Sequence, residues 1–358
     1  MTRLVAIHRH PIKGFTAEAL DHAGLVAGEG LPLDRQFAFV SGRKEDQPVA
    51  GGWVQSRTFL MLTLFPELAR FSCKLTDNDR SLAVTDPDGQ TAMATVRQPG
   101  TFTDANALIR EHFDDGPHGP PRLVEQTPGY GHWDFSDTAL SIINLATVRV
   151  ISEAVGRPLE KERFRGNIYI DGLDPWEEFS WPGCRLQIGE AQLDVLRPAQ
   201  RCAMTSTEPG TGIRDIDVPA TMTESFGHMF CGMYARVTAA GRIAANDDVN
   251  VSARGVFNPN DNLPVRAADP SLWPRYLTVL DADDKTVRVT TSEDNWPLLP
   301  ALLGQNLRIH SHIPQTGHTR SQIVTYDPTG YRLGISGLHG VGAGQTILVS
   351  GPVGHRPA

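Results

Sequence analysis

The residue best placed to do chemistry in this sequence is Cys202. It follows an alternating apolar run, Arg185 to Leu196, and opens a stretch rich in hydroxyls and glycine, from Ala203 to Gly212. Arg201 and Arg197 stand just before it. A cation beside a thiol favours the thiolate, the form that attacks electrophiles and binds soft metals. The setting therefore suits a reactive or ligating cysteine, and a small buried hydrophobe is the competing reading. The other cysteines are Cys73, Cys184 and Cys231. No two of the four stand as Cys-x-x-Cys, so neither a zinc knuckle nor a four-cysteine iron–sulfur cluster can be built from this chain alone.

Basic residues in turn settings form the second group. Lys13 follows His10-Pro11-Ile12, Arg35 follows Leu33-Asp34, Arg57 ends Val54-Gln55-Ser56-Arg57, and Arg165 lies in Arg163-Phe164-Arg165-Gly166-Asn167. Each alone reads as a solvated charge or half of a surface ion pair. Together, in a chain with 33 Lys and Arg against 41 Asp and Glu and a net charge of −8, they predict a cationic pocket for a phosphorylated ligand. The acidic balance argues against a dedicated nucleic-acid binder. No apolar run reaches the ~18 residues of a spanning helix, and the N-terminus alternates like a strand rather than reading as a signal peptide. The expectation is a cytoplasmic protein with no membrane and no nucleic-acid partner.

Positioning these residues falls to short strands. At 358 residues and 40% hydrophobic composition, the chain is long enough for two or three domains with substantial cores. The pattern predicts a mainly β protein with some α, in three parts: 1–120, 121–257 and 263–358. In the first, Leu4 to Arg9 and Gln36 to Val40 read as strands, Leu82 to Val84 runs into the turn Thr85-Asp86-Pro87-Asp88-Gly89, and Asp104 is placed to cap a helix to about Phe113. In the second, Asn144 is placed to cap a helix with Val148, Ile151 and Val155 on one face, stopped by Gly156-Arg157-Pro158. Around it, Asn167 to Asp171, Arg185 to Leu196 with a turn at Gly189-Glu190, Met233 to Val237 and Asp248 to Val251 read as barrel strands. The third predicts strands at Tyr276 to Val279, Thr286 to Thr290, Asn306 to His310, Tyr331 to Ile335 and Thr346 to Val349. No repeat or low-complexity block interrupts these parts.

At this point the residues carry a resemblance. The chain resembles MOSC-domain proteins with the matching N-terminal β-barrel domain, the arrangement of the mitochondrial amidoxime-reducing component and its bacterial relatives. The pieces are His10 to Lys13, Gly30 to Arg35, Ser136 to Thr138, Phe164 to Asn167, Arg201 to Gly212, Cys231 to Tyr234 and Asn246 to Val249, in order, across residues 1–254. The resemblance implies an N-terminal β-barrel domain, a MOSC β-barrel domain and a molybdenum–pterin cofactor with Cys202 as a sulfur ligand, consistent with the softness of a thiolate. It implies cofactor contacts from Lys13, Gly14, Arg35, Arg57, Ser136, Arg165, Asn167, Arg201 and Thr205. Many relatives carry Ser where Gly14 stands, so one hydroxyl contact is missing, and Gln200 replaces a small polar residue. The implied reaction is two-electron reduction of N-hydroxylated or other N-oxygenated small molecules. A second implication is a sulfur-carrying or cofactor-handling protein with a persulfide on Cys202.

Segments of 263–358 resemble the flavin-binding barrel of ferredoxin reductases, in particular Gly304 to Ile309 and Gly351 to Gly354. Where that family holds flavin with Arg-x-Tyr-Ser/Thr, this chain has Arg320-Ser321-Gln322-Ile323, without the aromatic or the final hydroxyl. The glycines from Gly340 to Gly344 follow no βαβ unit and read as turns. No cysteine lies in this part. The expectation is a small, degenerate β-barrel-like domain that holds no flavin tightly and docks a partner. Electrons then come from an external electron-transfer protein or reductase.

Overall fold

The structure is a computed structural model. It describes residues 1–40, 51–54, 56–113, 120–135 and 140–252, and the backbone of six further strands between 275 and 350.

Strands dominate. The largest sheet has eight, in the spatial order Val249–Val251, Arg185–Ile188, Ala191–Gln200, Phe230–Ala239, Leu140–Asn144, Ile168–Asp171, Arg3–Arg9 and Glu18–Leu20. The chain's first strand thus lies in the interior of a sheet made mostly of much later residues. It pairs antiparallel with Ile168–Asp171, which in turn runs parallel to Leu140–Asn144. His22–Leu25 likewise pairs with Gly241–Ala244. Sequence order gives no hint of this, because Arg3–Arg9 and His22–Leu25 each pair with a strand more than a hundred positions away, and only the Arg3–Arg9 ladder with Glu18–Leu20 is local.

Alternation explains why one face of the sheet buries. Leu4, Ile7, Ile142, Ile168, Leu186 and Leu193 share one core. On the opposite face Ile143 and Tyr169 pack with Val148, Ile151 and Met222 of two helices. The first of these helices, Leu145–Val155, starts where Asn144 Oδ1 accepts the Ala146 N–H at 3.0 Å and stops at Gly156, whose φ is 83°, the left-handed value that glycine supplies without a Cβ penalty. The second, Val218–Phe226, is capped by Asp217 and ended by Gly227. Its short, mixed apolar face gives little periodicity to read.

The first part of the chain keeps a separate core of Phe15, Phe37, Phe39, Leu68, Phe71 and Leu82, among others. It contains the meander Ser72–Thr76, Ser81–Thr85 and Thr91–Thr95 and the ladder of Phe37–Val40 with Arg122–Glu125. The expected cap at Asp104 is displaced. The helix runs Thr103–Arg110 with Phe102 at its N-cap, and Asp104 falls inside the first turn, where a carboxylate still favours the positive end of the helix dipole.

Between 275 and 350 the backbone forms a closed, fully antiparallel barrel. Its six strands are Arg275–Ala282, Thr286–Thr290, Asn306–Ile309, Arg320–Asp327, Arg332–Ser336 and Thr346–Ser350. In space the order is first, second, fifth, fourth, third, sixth, and the sixth pairs back with the first. Five of these strands coincide with the sequence expectation. The fourth covers Arg320 to Ile323, a segment that the sequence presents as a ligand motif and not as a strand. The Gly340 to Gly344 segment lies outside the described residues.

Candidate functional site

The chain reaches the site through a series of tight turns. After the first strand, Pro11 O accepts the Phe37 N–H at 3.0 Å and Lys13 N–H donates to Phe37 O at 2.9 Å. This pins Lys13 against the first core. Arg35 N–H donates to His10 O at 2.6 Å. Arg35 and Arg165 both have positive φ, 54° and 48°, a backbone state that costs a non-glycine residue energy. Each is held there by its surroundings. Arg165 ends the 3-10 turn Lys161–Phe164, and Gly166 follows it with no room for a Cβ against Ile143. Gly14 is also left-handed, at 91°, and a side chain there would press on Leu68 at 3.1 Å.

These turns converge on a cavity of about 470 Å³. Lys13, Gly14, Arg35, Arg165, Asn167, Arg201 and Cys202, residues expected from the sequence to act together, all line it. Cys202 is solvent-exposed, whereas Cys73, Cys184 and Cys231 are buried. Thr205 does not line the cavity; it is fully buried. Arg57 stands in the 3-10 turn Ser56–Thr58, but its side chain lies outside the described residues, as does Ser136 altogether.

The cations differ in what they hold. Lys13 Nζ donates to Asp134 Oδ1 at 2.6 Å and to His132 O at 2.9 Å. Ser56 Oγ donates to the same Asp134 oxygen at 2.8 Å. Burial works against a charged Asp134, but Lys13, Ser56 and Arg35 outweigh it and hold the carboxyl below its ordinary range. Arg35 pairs with Asp34 and donates to Arg165 O at 2.9 Å. Arg165 donates to Phe15 O at 2.7 Å. Burial and the neighbouring Arg35 lower its guanidinium to about 10. Lys13, Arg35 and Arg165 thus face one cavity, with Asp134 and Asp34 neutralising part of their charge, and Arg165, which has no carboxylate partner of its own among its hydrogen bonds, is the cation best placed to attract an anion.

Arg201 does something the sequence did not disclose. Its Nε and Nη2 donate to Cys231 O at 2.8 and 2.5 Å, and Nη1 donates to Phe164 O at 2.7 Å. It ties the Cys202 segment to two neighbouring elements rather than charging the thiol. Arg197 is turned onto the Phe135 and Tyr234 rings, 5.0 and 5.2 Å from their centroids. The expected thiolate-favouring field is therefore corrected. Burial by the cavity wall, aided by Asp134, pushes the Cys202 thiol up, and the Met204 N–H and Arg201 only partly oppose it.

Asn167 is also a structural tie. Its Oδ1 accepts the Ser141 N–H and hydroxyl, both at 3.1 Å, and its Nδ2 donates to His8 O at 3.2 Å. This joins three strands beneath the cavity. Asp134, Ser56, Ser141 and Tyr234 also line the cavity and were not found from the sequence. No local spacing marks them, although the short apolar run Trp133 to Phe135 beside an aspartate was a weak signal.

Two family models match this chain: that of the MOSC N-terminal beta barrel domain over residues 1–119 and that of the MOSC domain over residues 110–250. Human mitochondrial amidoxime-reducing component 1 is 28% identical over 138 residues, 37% of this chain and 40% of that protein. Molybdenum cofactor sulfurase 2 of Culex quinquefasciatus is 35% identical over 104 residues, 26% of this chain and 13% of that protein. The chain thus spans less than half the length of these relatives. Among solved structures, the YuaD protein of Bacillus subtilis is similar over 71% of this chain and 98% of its own, at 12% identity and a TM-score of 0.35.

Proposed function

This chain belongs to the MOSC-domain family, and from that premise we propose that it binds a molybdenum–pterin cofactor and reduces N-oxygenated small molecules with electrons from an external protein. The observation that carries the reading is the union of one exposed thiol, Cys202, with Lys13, Arg35 and Arg165 around a single cavity. A soft sulfur donor suits a molybdenum centre, and clustered cations suit a pterin phosphate. When bound, the cofactor supplies the two-electron redox chemistry.

The chain's own residues then have distinct tasks. Cys202 would hold the metal as thiolate. Lys13, now bonded to Asp134, and Arg165 would hold the phosphate. Arg35 orders Arg165 through the latter's carbonyl. Arg201 and Thr205 are positioning residues that fix the loop carrying Cys202. Trp133, Phe135 and Tyr234 give the cavity an apolar wall for a small uncharged substrate. We assign the barrel between 275 and 350 no flavin and a docking role toward the electron donor.

The test is reduction of benzamidoxime by the loaded chain with a chemically reduced viologen as donor. Cys202→Ser abolishes turnover, and Cys73→Ser and Cys184→Ser leave it largely intact. Equal turnover in Cys202→Ser overturns the assignment. A second reading, a sulfur-carrying protein with a persulfide on Cys202, is favoured by the identity to a molybdenum cofactor sulfurase and by the exposure of this thiol. Cyanide-labile sulfur on Cys202 together with absent benzamidoxime reduction selects it.

A further inference from the structure

Two carboxylates meet the cations of the Cys202 cavity, and they are held very differently. The Asp34 side chain is 3% exposed. One of its oxygens accepts the His10 N–H at 2.8 Å and the other pairs with Arg35, so the fold fixes both. The Asp134 side chain is 58% exposed. Its Oδ1 accepts from Lys13 Nζ at 2.6 Å and from Ser56 Oγ at 2.8 Å. Lys13 itself is anchored: its side chain is 9% exposed, and Nζ donates a further bond to His132 O at 2.9 Å. The backbone just before Asp134 is pinned as well, because Trp53 Nε1 donates to Trp133 O at 3.1 Å. Asp134 can therefore leave Lys13 by turning its side chain alone.

Charge decides what replaces it. An ion pair with one exposed partner is exchangeable, because water recovers much of what the freed carboxylate loses. A buried ammonium left without any counter-charge is costly, so Lys13 keeps Asp134 until another anion takes its place. The Asp134 charge is felt by Arg35, Arg165 and Cys202 as well, which places it amid the cavity's cations. Turning it away raises the local positive charge by one unit. A phosphate monoester brings about −1.5 to −2 charge near neutral pH and three acceptor oxygens, more than the one carboxylate that it would replace.

We propose that Asp134 is a built-in competitor for the anion: its carboxylate holds Lys13 and Ser56 where a phosphate binds, and a phosphate monoester displaces it. The inference rests on the reading of this cavity as the cofactor's phosphate site. Asp134 sets a threshold there, since a ligand gains Lys13 only by binding it more strongly than a carboxylate does.

Methyl phosphate is the probe, titrated by calorimetry at low salt and about pH 8, where a phosphate monoester is a dianion. The full-length chain is prepared from cells that do not make the cofactor. Asp134→Asn, which keeps the shape and removes the charge, binds the probe about tenfold more tightly than the unsubstituted chain. A change of field alone has the same sign, so Ser56→Ala separates the two. It leaves every charge in place and removes one of the two bonds that hold the carboxylate. Competition then gives about threefold tighter binding, whereas a field effect gives no change. Equal affinity in Asp134→Asn, or unchanged or weaker affinity in Ser56→Ala, overturns the proposal and leaves the phosphate site standing. Methyl phosphate that binds neither the unsubstituted chain nor Asp134→Asn removes the phosphate site itself, and the competitor with it.

Discussion

Thr205 donates twice to a single atom: its N–H and its Oγ1 each lie 3.0 Å from the carbonyl oxygen of Cys202. The first bond closes the 3-10 turn Ala203–Ser206. The second locks the fully buried threonine side chain beneath it. Thr205→Val keeps the shape and the backbone bond but loses the hydroxyl bond. The expected cost is about 1 kcal/mol, read from denaturant unfolding, with a fall in bound molybdenum larger than that loss of stability explains. Unchanged molybdenum content in Thr205→Val would remove Thr205 from the set of positioning residues.

Arg201→Lys separates charge from geometry. Lysine retains the positive charge but cannot reach Cys231 O and Phe164 O together with a planar fork. Loss of these buried bonds, which arginine alone satisfies here, is expected to cost about 2–4 kcal/mol. A field effect on the thiol, by contrast, would survive the exchange. A melting temperature and cofactor content both matching the unsubstituted protein would show that charge is what matters at this position.

How much of this could be read beforehand differs from residue to residue. Cys202 stood out because a thiol between a strand and a hydroxyl-rich loop is a local pattern, and the Asn144 cap and the Gly156 stop are local too. Side-chain direction is not local. Arg201 and Arg197 flank the thiol in sequence, yet their guanidinium groups turn to carbonyls and rings. Asp134 meets Lys13 across 121 positions, a separation at which no spacing rule operates. The strand Arg320–Asp327 opens on three polar residues, Arg320-Ser321-Gln322, which hide its strand character.

Glu178 gives a pH signature. It is fully buried, and burial raises its carboxyl to about 7, despite hydrogen bonds from Asn144 and Thr147. Because the folded state binds this proton more tightly than the unfolded state, Glu178 contributes most to stability below the ordinary value of 4.5 and loses that contribution as pH rises toward about 7. The unfolding free energy of the unsubstituted protein minus that of Glu178→Gln should therefore fall across this window by on the order of 1–3 kcal/mol. A difference that is flat with pH, or rises, contradicts the assignment.

His132 is a removable cost. Both of its ring nitrogens are buried without a partner, and its ring lies 4.6 Å from that of Phe59. Burial and Lys13 lower its imidazole to about 3. An aromatic ring without those polar atoms avoids the desolvation penalty, so His132→Phe is expected to stabilise the protein by about 1 kcal/mol. Thermal melting at neutral pH measures it, and a lowered melting temperature would mean that the space cannot take the phenyl ring.

The most direct measurement is the molybdenum and pterin content of the chain purified from cells that make the cofactor, with Cys202→Ser prepared in parallel. A single thiolate site predicts about one molybdenum and one pterin per chain, with the metal lost in Cys202→Ser. Unsubstituted protein that carries neither, from cells in which another MOSC-domain protein loads fully, would contradict the account.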